Sequence, residues 1–162
     1  MNDSAVQFAS ETLGALEHSL PAMTTGATPY SKSMLQQYKA KEVETASPET
    51  ILLMLYDGAI KFLKQSKVHY EAGEIEPAYK NLASAQNIIS EFMNTLDIKT
   101  TGETGQNLYR LYDYYHYRLV EANLKRDTGM IEEVIGHLTQ LRKTWAEAIV
   151  VARKERQAEN AG

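Results

Sequence analysis

The sequence predicts an all-α protein: an antiparallel up-down four-helix bundle preceded by an N-terminal arm or a short extra helix. Three observations predict it. From Ser47 onward apolar residues recur with a period near 3.6, and the breaks in that period fall where glycine, proline and small polar residues gather. The links between the first and second and between the third and fourth periodic segments are too short for anything but antiparallel neighbours, and no strand is needed anywhere.

Taken in order, residues 1–29 are rich in Ser, Thr and Ala, yet Ala9, Leu13, Leu16, Leu20 and Met23 fall at three- and four-residue spacing. That pattern suits a short amphipathic helix on a flexible arm, ended by Pro21 and the stretch Thr-Thr-Gly-Ala-Thr-Pro. The first bundle helix starts at Ser47-Pro48-Glu49, where Ser can cap, Pro suits the first helical position and Glu meets the positive end of the helix dipole. It is expected to run to Ala72, with Gly73 as its stop. The second, from Glu74 to Leu96, carries a seam of Ile75, Tyr79, Leu82, Ala85, Ile89, Phe92 and Leu96. A polar connection is expected from Asp97 to Gln106. The third helix then turns Leu108, Leu111, Tyr112, Tyr115, Leu119 and Ala122 inward and ends near Arg126. Asp127 or Thr128 caps the fourth, whose seam is Ile131, Val134, Leu138, Leu141, Trp145, Ala148 and Ala152. The expected division is an extension over 1–34, a helical domain over 35–157 and a disordered tail over 158–162.

At 162 residues the chain is long enough for one hydrophobic core and too short for two. The absence of cysteine removes disulfides, thiolate zinc sites and thiol nucleophiles together, and it fits a cytoplasmic protein. No window is apolar enough to span a membrane, and the N-terminus lacks the basic and apolar regions of a secretion signal. A formal charge of −4 argues against nucleic acid, because phosphate binding requires clustered Lys and Arg. The one basic run, Arg153, Lys154 and Arg156, is expected to complement a helix C-terminus.

Catalysis finds no candidate residues. A di-iron bundle needs inward Glu residues and two Glu-x-x-His pairs, whereas this chain offers only Asp113 with His116 and Glu133 with His137. Each reads as a surface pair. There is no HExxH, no phosphate-binding glycine loop and no G-x-S-x-G, and His18, His69, His116 and His137 are scattered. Neither a metal nor a cofactor is expected.

Apolar surface in excess of one core is the more informative feature. In the run ILLMLYDGAIKFL, residues 51–63, ten of thirteen side chains are Ile, Leu, Met, Tyr, Phe or Ala, well beyond the roughly 100° stripe that a single core requires. The composition holds Tyr 10 against Phe 3 and Trp 1. Tyr109, Tyr112, Tyr114, Tyr115 and Tyr117 sweep right round the third helix, so some of these rings must reach the surface. A single tyrosine can seal a core edge with its hydroxyl in water, but the whole set suits a groove that receives a partner helix.

Several motifs in register also carry a resemblance. Tyr38, then Thr45-Ala46-Ser47-Pro48-Glu49, then Met54-Leu55-Tyr56-Asp57-Gly58 resemble the opening of the flagellin export chaperone family, FliS. Ala85-Gln86-Asn87-Ile88-Ile89, Asn107-Leu108-Tyr109, Leu111-Tyr112-Asp113-Tyr114, Arg118-Leu119, Glu121-Ala122-Asn123 and Trp145 are similar to that family in order and spacing. The resemblance spans residues 35–151.

It implies a cytoplasmic, non-enzymatic chaperone. Its partners would be the C-terminal segment of flagellin, which folds as it wraps the bundle, and the flagellar type III export gate; a generic helical adaptor for another secreted subunit is the alternative. The resemblance places Tyr38 near the flagellin-binding surface and likens its segment, Leu35 to Val43, to an arm that covers a groove when the partner is absent. Ile51, Met54, Leu55, Tyr56, Tyr109, Tyr112 and Asp113 are the further expected contacts, with Leu55 and Tyr112 open to a core reading as well. Asp57-Gly58 is expected to serve helix packing. The family starts only a handful of residues before the position of Tyr38, so residues 9–23 are either an internal substitute for the partner, a flexible arm or appended residues.

Overall fold

A computed structural model of the chain describes residues 47–162. The expectations for residues 1–46, which include the spacing over 9–23 and the segment bearing Leu35, Tyr38 and Val43, lie outside the described residues. Four helices make up the rest: α1 (Pro48–Glu71), α2 (Ile75–Thr95), α3 (Ile98–Lys125) and α4 (Thr128–Ala161).

Each boundary has a local cause. The Ser47 hydroxyl accepts the Thr50 N–H at 3.3 Å, with Pro48 and Glu49 in the first turn of α1. At the other end Gly73 adopts φ 77°, so the chain reverses while the Glu74 N–H reaches the His69 carbonyl at 2.8 Å. The expected polar link over 97–106 is corrected, because α3 begins at Ile98. Asp97 caps a first turn by accepting the Lys99 and Thr100 N–H groups, and Gly102, at φ 59° and ψ −134°, interrupts the helical path with a kink before the main length of α3 resumes. Of the two expected caps for α4, Asp127 serves, accepting the Gly129 N–H at 2.8 Å. That helix continues through Ala161, so residues expected in a disordered tail are helical.

Each helix packs on its neighbours in sequence, and α4 closes the ring against α1, giving the antiparallel four-helix bundle. An aromatic stack fills its centre: Tyr56 lies 4.8 Å from Phe92, and Phe92 lies 5.3 Å from Tyr112, ring centroid to centroid. Leu52, Leu63, Leu82, Leu108, Leu119 and Leu138 surround it. Parts of the expected seams differ. Ile75, Tyr79 and Leu111 are exposed, and Leu141 and Ala152 are only half-buried, whereas Ala78, Ile88, Ile135 and Ile149 are inside. The reason on α2 is rotation: its buried face follows Ala78, Leu82, Ala85, Ile89 and Phe92, which leaves Ile75 and Tyr79 on the flank. No helix among the described residues is long and apolar enough to cross a membrane.

Candidate partner-binding surface

The inner face of α3 is Leu108, Tyr112, Tyr115, Leu119 and Ala122, a three- and four-residue repeat that leaves the other positions for solvent. Apolar side chains nevertheless occupy many of them. Tyr109 and Val120 are each 38% exposed, Tyr117 60% and Leu124 78%, with Leu111 and Tyr114 exposed on the side toward α4. By helical geometry Tyr109, Asp113, Val120 and Leu124 fall on one flank, three or four residues from one to the next or a whole number of turns apart. The five crowded tyrosines therefore divide, with Tyr112 and Tyr115 inside and Tyr109, Tyr114 and Tyr117 outside.

Three of the expected contact residues lie inside the bundle, Tyr112 in the core position that its place on α3 also allows. Ile51, Tyr56 and Tyr112 are buried, so their side chains offer no face to a partner. For Tyr56 and Tyr112 the cause is mutual. Their hydroxyls bond to each other, the Trp145 indole N–H donates to the Tyr56 oxygen at 2.9 Å, and burial pushes both phenols well above their ordinary range. Met54 and Leu55 are half-buried, with Leu55 packed against the core edge, and Asp113 is exposed beside Tyr109. Leu35, Tyr38 and Val43 lie outside the described residues. Val120 and Leu124, outside the expected contact set, join Tyr109 on the exposed flank because their positions fall off the inner repeat of α3.

Several charged groups of the bundle are tied to structure. Asp57 accepts two bonds from Arg142, at 2.8 and 3.1 Å, which joins α1 to α4. Glu133 accepts the Tyr114 hydroxyl at 2.6 Å and Arg118 Nε at 2.7 Å; these two donors hold its carboxyl below the usual range. The basic run is also corrected. Arg153 and Arg156 both donate to Glu49 in the first turn of α1, a carboxylate only 5% exposed, while α4 itself continues beyond them. A depression of about 310 Å³ on α4 lies among Glu132, Glu133, Gly136, His137 and Gln140. Among the described residues no three His, Cys, Asp or Glu side chains stand close enough to hold a metal ion.

A bundle that hides one set of aromatic rings, displays another and ties Glu49, Asp57 and Glu133 into ion pairs has the features of a helical docking protein. The particular family follows from comparison with known proteins. The profile of the family described as flagellar protein FliS matches residues 31–152. The flagellar secretion chaperone FliS of Bacillus subtilis (strain 168) is 41% identical over 119 residues, which cover 74% of this chain and 88% of that protein. FliS of Salmonella typhimurium is 36% identical, covering 72% and 90%, and FliSB of Pseudomonas aeruginosa is 31% identical, covering 72% and 95%. The chain belongs to the FliS family of flagellar secretion chaperones, which are not enzymes.

Proposed function

We propose that this protein is a cytoplasmic export chaperone that binds the C-terminal segment of newly made flagellin. It prevents premature polymerisation and assists delivery to the flagellar type III export gate. The observation that carries the reading is the uncovered apolar flank of α3, Tyr109, Val120 and Leu124, on a chain that belongs to a family of flagellar secretion chaperones. An amphipathic segment docks on such a flank through residues at i, i+3, i+4 and i+7.

In this reading Tyr109 supplies rigid contact area, Asp113 a charged acceptor beside it, and Met54 and Leu55 the adaptable apolar edge of α1. Leu35, Tyr38 and Val43 contribute from the segment before α1, within a chaperone domain that begins at residue 35 and follows an extension over 1–34. Ile51, Tyr56 and Tyr112 support the site from within. Many shallow contacts suit a partner that folds on binding and must later be released, because ordering it consumes about 2 to 5 kcal/mol of the interaction.

Mixing the purified chain with intact flagellin and with flagellin lacking its C-terminal segment tests the reading by size-exclusion chromatography. A complex with the intact protein alone is expected. Equal complex formation with the shortened flagellin would contradict it and favour a generic adaptor.

A further inference from the structure

Two hydrogen bonds cross the bundle from α1 to α3, which stand diagonally in the ring rather than side by side. One joins the Tyr56 and Tyr112 hydroxyls, where Trp145 also donates from α4. The other runs from the Tyr70 hydroxyl to Asn123 Oδ1 at 2.6 Å. Tyr112 and Asn123 are close to three full turns apart, so they share one face of α3 about 17 Å from each other. Two such points fix both the height of a helix and its rotation about its own axis.

Stability gives little reason for these hydroxyls. Phenylalanine at Tyr112 would keep the stack against Phe92 and leave Trp145 its acceptor on Tyr56, losing only the bond between the two hydroxyls. The Trp145 N–H, the Tyr56 O–H and the Tyr112 O–H are three donors, and the acceptors they reach among the described residues are the two hydroxyl oxygens. Two bonds form and one hydroxyl hydrogen is left over. A directional bond does what an apolar contact does not, which is to select one register.

We infer that the diagonal bonds at Tyr112 and Asn123 are positioning elements that hold α3 in register, and with it Tyr109 and Asp113, which flank Tyr112 on the outer side of the same turn. Only the effect on affinity rests on the partner reading above. A bundle without the two bonds remains folded, with α3 still tied at the surface to α4 through Glu133, but α3 turns about that tie among nearby orientations and the surface that a partner meets is no longer single.

The variant Tyr70→Phe/Tyr112→Phe keeps both rings and removes both bonds. Amide hydrogen exchange on the free full chain, melting temperature and titration with a flagellin C-terminal peptide read the effect. Near wild-type melting is expected, with faster exchange in α3 around Tyr109 and Asp113 than in α1 and α4, and roughly fivefold or greater loss of peptide affinity. Tyr112→Phe alone, which retains the Tyr70 bond, should fall between. Unchanged exchange in α3 would overturn the inference. So would failure of the double variant to fold, or exchange rising equally in all four helices as melting temperature falls, because the hydroxyls would then serve stability. If the wild-type chain binds no flagellin peptide, the partner reading fails while the exchange pattern still decides the register of α3.

Discussion

Tyr109 and Tyr112 sit one turn apart on α3 with the same side chain, yet Tyr112 is fully inside while Tyr109 keeps more than a third of its surface in water. The inner repeat of α3 made Tyr112 legible as a core residue, but its hydrogen-bond partner Tyr56 stands 56 residues away, which no local pattern records. The same separation hides the place of Tyr56. Its over-apolar run points to surface, whereas the Trp145 indole and the Tyr112 hydroxyl give its polar end buried partners. The two positions should therefore separate on substitution. Tyr112→Ala is expected to destabilise the fold by about 3 to 5 kcal/mol in denaturant unfolding, whereas Tyr109→Ala should leave the midpoint within about 0.5 kcal/mol and weaken flagellin peptide binding. The buried phenols also set an alkaline limit. Burial raises Tyr56 and Tyr112 and pushes Tyr115 up to about 12, so the folded state holds these protons more tightly than the unfolded chain. Their contribution is complete below the ordinary tyrosine value of about 10 and is lost as pH rises through the folded values. Melting temperature should fall steeply above about pH 10, and Tyr112→Phe should make that fall shallower.

Helix ends were legible where one side chain decides them, as at Ser47, Gly73 and Asp127. The start of α3 was not. Its Thr-Thr-Gly-Glu-Thr-Gly stretch has weak helix propensity, and it is helical because Asp97 caps a first turn and Gly102 takes a backbone conformation that lets the helix resume. The end of α4 is hidden for the opposite reason. Its charged stretch reads locally as the close of a helix, but Arg153 and Arg156 reach back to Glu49 at the start of α1, more than a hundred residues earlier. That clamp ties the last turns of the bundle to the first. Changing Arg153 and Arg156 together to Ala leaves a buried carboxylate without either guanidinium and should cost about 2 to 3 kcal/mol, the lower part of the range for a broken buried pair because both arginines are half exposed. Urea unfolding of the double variant measures it. Replacing Lys154, which is exposed in the same run, should change little.

Across the whole molecule, antiparallel order and a single core followed from period and link length, which are local properties of the chain. Which apolar residues remain outside depends on how each helix is rotated, and that is set by its two neighbours at once. The excess of tyrosine is concentrated on the third helix, while the division of its rings between core and surface is set by the packed bundle. This chain of the FliS family exposes Tyr109, Val120 and Leu124 on one flank of α3, where the proposed function places the flagellin segment. The central claim is that this surface is covered by such a segment, and calorimetric titration with a flagellin C-terminal peptide at several temperatures tests it most directly. The account predicts saturable binding with a large negative heat-capacity change, of the size that accompanies burial of roughly 1,000 to 3,000 Å², reduced by Tyr109→Ala. No binding, or binding with a heat-capacity change near zero that Tyr109→Ala leaves untouched, would contradict it.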